Sequence, residues 1–218
     1  RQDKQLPNVY SLIKTQQGYF VQSELIKFAK FETTIRFAFE VLKAGYTVFG
    51  SFTHYLAWCA YNLLSPTDHN TIKRFIELDR HIPHDLDVLD PDQTIPHKMF
   101  LGVTGNEDEK VSDDYTADST FVHEKYLFTV PVMYIGTTTI IVDCVISNHI
   151  HINGLDFDVN GLTYNLTDGF RDVSEHNPPT EMDVLTRGIK TYKIIKKIVN
   201  KTATFMGSFN GSPEYKRT

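Results

Sequence analysis

Asp85 and Asp87 flank a single residue in His84-Asp85-Leu86-Asp87-Val88-Leu89, an apolar run interrupted by two carboxylates. Alternation along a strand sends side chains i and i+2 to one face, so the two acids stand side by side. Adjacent carboxylates repel each other, and a divalent cation held between hard oxygen donors relieves that repulsion. The same residues also read as a polar strand end feeding an Asp-rich turn, because Asp90-Pro91-Asp92 comes directly after. A third acid, Asp143, stands alone in Thr139-Ile140-Ile141-Val142-Asp143-Cys144-Val145-Ile146. A charge inside so apolar a strand must ligate, pair or be neutralised to offset its desolvation. Otherwise the strand is an edge, and Asp143 faces solvent or a lysine.

Upstream, Tyr46-Thr47-Val48-Phe49 reads as a short strand that enters Gly50-Ser51 and then an apolar helical run from Phe52 to Leu64. Glycine and serine at the mouth of a helix offer unsatisfied backbone N–H groups and the positive end of the helix dipole, which suits a phosphate. A phosphate cradle beside metal-holding carboxylates is the minimum equipment for metal-assisted phosphoryl or nucleotidyl transfer.

The elements that must position these residues emerge from periodicity. Ser23 reads as an N-cap, opening an apolar helix through Leu42 that Gly45 closes. Within the next helix Phe52, Tyr55, Leu56, Cys59 and Leu63 recur at helical spacing, which predicts a packed face. A short helix spans Asn70 to Leu78, and the Asp85/Asp87 strand comes after Pro83. Residues 94–103 read as a strand interrupted by Pro96, and residues 105–120 as a polar surface loop. Tyr126 to Ile135 and Thr137 to Ile146, rich in β-branched residues and separated by Gly136, read as a hairpin. β character continues through 154–164 and 170–173. After Asn177-Pro178-Pro179-Thr180 the pattern is helical from Glu181.

This order predicts an α+β fold, a mixed sheet flanked by helices. It divides into an N-terminal arm at 1–22, a domain at 23–176, and a basic helical segment at 180–218 that could open a further domain. In that segment Arg187, Lys190, Lys193, Lys196, Lys197 and Lys201 crowd together, within a chain whose net charge is −5. They suit a nucleic-acid backbone, with Tyr192 or Tyr164 available to stack on bases; equally, they suit a solvated face opposite an Ile/Val stripe. His149-x-His151 and His81-x-x-His84 have spacings that metal ligands use, but surface histidines read the same way.

At 218 residues, with 41% hydrophobic and 22% charged residues, the chain has ordinary globular composition and enough length for a real core. Its overall charge gives no global signal for nucleic acid, so any such surface is local. Cys59 and Cys144, each inside an apolar run, argue against a disulfide framework and for a cytoplasmic or other reducing compartment. No uninterrupted apolar stretch of membrane-spanning length occurs, and no signal-peptide pattern opens the chain. A start at Arg1 without Met is compatible with a fragment or a processed product.

The ordered set Gly50-Ser51, Asp85-Leu86-Asp87 and Asp143 resembles the signature of the polymerase-β-type nucleotidyltransferase superfamily. In addition, Leu155-Asp156-Phe157-Asp158-Val159-Asn160-Gly161-Leu162-Thr163-Tyr164-Asn165 is similar to an element of CCA-adding enzymes and bacterial poly(A) polymerases. The arginine pair of that element is replaced here by Gly154-Leu155. The resemblance implies two Mg²⁺ ions (or Mn²⁺) on Asp85, Asp87 and Asp143, with Asp143 ligating the second ion or acting as a base beside it. It implies Gly50 and Ser51 on the terminal phosphates of a nucleoside triphosphate, and Asp156, Asn160 and Arg187 around its nucleotide. Lys190, Lys193 and Lys197 would contact RNA or another nucleic acid. The implied activity is nucleotide addition to a nucleic-acid 3′ end or another hydroxyl acceptor. Two further readings stand beside it. One is a catalytically inactive module of the same fold that binds nucleic acid or serves assembly. The other is an unrelated α+β protein with a coincidental Asp-x-Asp. No residue pattern fixes an oligomeric state.

Overall fold

The computed structural model describes residues 18–78, 80–107, 123–133, 135–150, 155–173 and 181–206, with 18–22 and 181–187 as backbone only. The chain folds as the α+β arrangement expected. Helix α1 (Gly18–Lys43) leads into β1 (Thr47–Phe49), α2 (Gly50–Tyr61), α3 (His69–Glu77) and β2 (Asp85–Leu89). After a 3-10 turn at Ile95–His97 come β3 (Met99–Phe100), β4 (Val103–Thr104), β5 (Asn106–Glu107), β6 (His123–Val132) and β7 (Gly136–Val145). A second 3-10 turn (Asp158–Gly161) precedes β8 (Leu162–Asn165), β9 (Gly169–Asp172) and α4 (Glu181–Val199).

Seven strands form one sheet in the order β5-β6-β7-β2-β1-β8-β9, and β3 and β4 make a separate ribbon. β2 and β7 run parallel, whereas the other neighbouring pairs in the sheet are antiparallel. Even-numbered residues of the central strands face the helices. Val48, Leu86, Val88, Ile140, Val142 and Cys144 join one core with Phe31, Phe37 and Val41 of α1, Phe52, Tyr55 and Cys59 of α2, and Phe75 of α3. The helical periodicity read for α2 is therefore its buried face. α4 closes the same side of the sheet further along, where Ile194 and Ile198 pack with Ala57 and Leu162. On the opposite face a smaller cluster forms from Leu89, Val145, Ile150, Leu155 and Val173, with Phe49 against it.

Several element boundaries differ from expectation for local reasons. Ser23 does not cap α1; the helix begins five residues earlier, at Gly18, so residues 18–22 of the expected arm belong to it. α2 begins at Gly50 itself, because Phe49 is already extended (φ −144°) and no side chain caps the helix. It ends at Tyr61, where Asn62 folds its side-chain amide back onto the carbonyl of Trp58 at 2.8 Å, and Leu63 is 93% exposed at positive φ instead of joining the packed face.

The strand expected at 94–103 is broken up. Asp90, 1% exposed, accepts hydrogen bonds from the backbone N–H of Thr94 (2.9 Å) and Ile95 (3.0 Å) and winds the chain into the 3-10 turn. Asn106 and Glu107, expected in a loop, pair with β6, and 108–122 lie outside the described residues. The hairpin strands are shifted as well. β6 starts at His123, and the turn closes between Val132 and Gly136. Of the β character expected at 154–164, residues 155–161 form an irregular segment and 3-10 turn, β8 starts only at Leu162, and 154 lies outside the described residues.

Candidate active site

Strand register brings the acids together. Asp87 lies directly opposite Asp143 across the parallel β2–β7 pair, and Asp85 lies two residues back on the same face of β2. Directly opposed residues on paired strands stand about 5 Å apart at Cα, and i, i+2 neighbours roughly 7 Å. All three carboxylates therefore occupy the sheet face turned away from the helical core. Asp143 is 6% exposed, and Asp85 and Asp87 are half-buried.

β1 runs antiparallel to β2 with Phe49 opposite Asp87, so the turn from β1 into α2 lands on that acid. Gly50 takes φ +74°, and a Cβ there would overlap the Asp87 carboxylate and come within 2.9 Å of its Cγ. Only glycine meets both demands, the left-handed backbone and the missing side chain. Strand, Gly50-Ser51 and helix thus form one rigid unit whose helix N-terminus abuts the acid pair. Ser51, half-buried, stands in the first turn of α2, where the leading backbone N–H groups have no helical partner.

The electrostatics arise from this crowding. Burial, then Asp143, then Asp85 push the Asp87 carboxyl up to about 7, while Lys125 opposes the shift. Lys125 is the residue that motif reading missed. It lies opposite Asp143 on β6, with its Nζ 4.0 Å from Asp143 Oδ1. His123, two residues away on the same strand and therefore on the same face, is pushed down by burial and by Lys125. The signal was present in the hairpin register. A turn placed on Gly136 alone misaligns the two strands and hides the Lys125–Asp143 pairing.

The remaining expected residues divide. Asp156 and Asn160 are exposed, on the segment leading to β8. That segment is fixed at both ends of the site: Leu155 packs in the cluster that Phe49 borders, and His54 of α2 bonds the carbonyl of Val159 at 2.8 Å. Lys197 does not point to solvent as a free cation. Its ammonium lies 2.5 Å from Asp158 Oδ2 and 2.8 Å from Thr204 Oγ1, tying α4 to the β8 approach. Lys190 and Lys193 are exposed on α4, which packs over the sheet face opposite the carboxylates. Arg187 lies within α4, but its side chain is outside the described residues. Of the aromatic candidates for base stacking, Tyr192 is exposed and lies against Tyr61 with ring centroids 6.3 Å apart, whereas Tyr164 packs on Phe170.

Among the described residues no three His, Cys, Asp or Glu side chains form a ready metal cage. Mg²⁺ in phosphoryl-transfer sites does not require one; one or two carboxylates, waters and substrate phosphates complete its shell. Asp87 and Asp143, directly opposed across the β2–β7 pair, offer the two carboxylates of such a shell, with Asp85 further along the same face. Both cysteines are buried in the core with thiols raised chiefly by desolvation, which leaves neither as a nucleophile. His81 and His84 touch edge to face at 6.0 Å. His149 is exposed, and His151 lies outside the described residues. No helix among the described residues is long and apolar enough to cross a membrane.

No protein-family model, curated protein or solved structure matches this chain.

Proposed function

We propose that the protein is a metal-dependent nucleotidyltransferase of the polymerase-β type, adding a nucleotide to a nucleic-acid 3′ end or a similar hydroxyl acceptor. The observation that carries this reading is the fit of Gly50 against Asp87, with Asp87 opposite Asp143. A helix N-terminus that offers free N–H groups to phosphate is thereby fixed beside a carboxylate pair. Coincident Asp residues in an unrelated fold have no reason to converge on that turn.

In this reading the backbone at Gly50 and Ser51 holds the terminal phosphates of a nucleoside triphosphate. Asp85, Asp87 and Asp143 supply the oxygen ligands. A divalent ion held there, Mg²⁺ or Mn²⁺, would neutralise the phosphates and lower the pKa of the attacking hydroxyl, whose bond to the α-phosphate forms as the bond to the leaving pyrophosphate breaks. Lys125 offsets part of the negative charge and holds Asp143 in place. Asp156 and Asn160 face the nucleotide from the β8 approach. The rigid strands contribute chiefly by positioning.

The test is Mg²⁺-dependent incorporation of labelled nucleotides into a short RNA primer by wild type, Asp87→Asn and Asp143→Asn. Loss of at least about a hundredfold in each variant, with folding intact, is the expected result, since removing one charge-stabilising group at a reacting centre typically costs that much. A second reading, a module of the same fold without chemistry, draws on the Lys125–Asp143 contact. An internal cation there reduces the need of the acids for a metal. Wild type that binds nucleotide and incorporates none would select it.

A further inference from the structure

Strand register sets four residues in one row across the carboxylate face of the sheet: Lys125 on β6, Asp143 on β7, Asp87 on β2 and Phe49 on β1. Neighbouring strands lie about 4.8 Å apart, so the row runs roughly 14 Å between its end Cα atoms. Both ends are electropositive, by different means. At the Phe49 end the N-terminus of α2 abuts Asp87 through Gly50. At the other end the Lys125 ammonium stands 4.0 Å from Asp143 Oδ1. Asp143 thus has a carboxylate beside it on β2 and a cation beside it on β6.

This placement limits how many divalent ions the acids take. Ionised, Asp85, Asp87 and Asp143 carry three negative charges, which one divalent ion and one ammonium match. An ion between Asp87 and Asp143 lies on the β2 side of Asp143, away from Lys125. A second ion on Asp143 would have to share its β6 side with the ammonium. Like charge would then face like charge among side chains that are largely buried, where solvent screens little. In the proposed reading the phosphates are held at Gly50, the far end of the row, and leave the ammonium on Asp143.

We infer that the site holds one divalent ion, between Asp87 and Asp143, and that Lys125 stands in place of the second ion expected from three acids. Asp85, one pleat repeat along the same face, joins the shell of that single ion through bound water. The inference rests on the proposed transferase for the identity of the site, and it changes the metal count from two to one.

The experiment follows Mn²⁺ by electron paramagnetic resonance, first as the metal alone and then with a non-hydrolysable nucleoside triphosphate analogue. The proteins are wild type, Lys125→Arg, Lys125→Met and Asp87→Asn, with matching thermal melts as the check on folding. Two ions held about 4 Å apart, the spacing of two-metal sites, broaden each other's spectrum, whereas a single ion gives the spectrum of isolated Mn²⁺. Wild type and Lys125→Arg should bind one ion and show the isolated spectrum, with the analogue as without it. Lys125→Met should bind its first ion about tenfold more tightly, because a like charge is gone, and should take up a second, coupled ion. Asp87→Asn should bind the ion at least about tenfold more weakly, since it loses a charged ligand. Wild type decides the count by itself, whatever the variants do. Two coupled ions in wild type overturn the inference and keep the transferase. A single ion of unchanged affinity in Lys125→Met also overturns it, because Lys125 then excludes nothing. Wild type that binds no Mn²⁺, with the analogue or without it, removes the transferase reading and the inference with it.

Discussion

Asp87 lies in a conflict made by its neighbours, and the conflict has a sign. Its carboxyl is raised from the usual 3.8 to about 7 by burial, Asp143 and Asp85. The folded chain therefore keeps a proton that the unfolded chain has already released. Stability from this residue is complete below about pH 4 and is lost as pH rises through about 7. In EDTA, urea unfolding of wild type should show falling stability between about pH 5 and pH 8. Asp87→Asn, which cannot ionise, should flatten that fall and exceed wild type by about 1–3 kcal/mol at about pH 8. The range lies below the full linkage value because the group is half-buried and coupled to two acids. Parallel pH profiles for the two proteins would contradict the assignment.

At the scale of elements, the segment before β8 is held by the stretch of chain beyond α4. Asp158 accepts from the Lys197 ammonium and from the backbone N–H of Thr204 at 2.8 Å, and its own N–H donates to the Thr204 carbonyl at 3.1 Å. Met206 N–H reaches the Asp156 carbonyl at 2.8 Å, so the last described residues clamp the segment carrying Asp156 and Asn160. Arg80 closes the same helix end by donating to the carbonyls of Ile198 (3.2 Å) and Val199. Lys197→Met should cost about 1–3 kcal/mol in urea unfolding, because Asp158 is left partly buried without its cation. Adding Asp158→Asn should recover part of that loss. If Lys197→Met is neutral, the clamp has no energetic weight.

The helix–strand grammar of these elements was legible in the sequence where one hydrophobic period dominated. The β1–Gly50-Ser51–α2 unit, the Asp85/Asp87 strand and the buried face of α2 emerged from spacing alone. Asp143 was legible as a lone charge in an apolar strand. Lys125 was not, because its meaning depends on a hairpin register set by the Val132–Gly136 turn. Lys197 was misplaced for a similar reason. A lysine in a basic run looks solvated until the chain beyond the helix returns with Thr204 and the 3-10 turn brings Asp158. The strand expected at 94–103 failed because the side chain of Asp90 supplies bonds that periodicity does not register.

At the scale of the whole molecule, one core joins α1, α2 and α3 to the helix-facing side of the central strands. Phe37 sits at its middle, fully buried, with ring centroids 5.5 Å from Phe100 and 4.9 Å from Phe128. It connects α1 to the β3 ribbon and to β6. Phe37→Ala should therefore destabilise by about 3–5 kcal/mol, the usual cost of emptying a buried aromatic site. The loss should be seen equally by far-UV circular dichroism and by the fluorescence of Trp58, which lies in α2. Two separated transitions would show that α1 and α2 do not share one cooperative core.

The parallel β2–β7 pair also has a consequence for the order of assembly. β6 and β7 are sequence neighbours and close as a hairpin early, whereas β2 must find β7 across the chain that contains β3 through β6. Closing so long a connection is entropically slow and falls late in folding. Asp87 and Asp143 consequently meet only when β2 docks on β7. Until that pairing forms the chain is spared their repulsion, and a cation in solution would ease it.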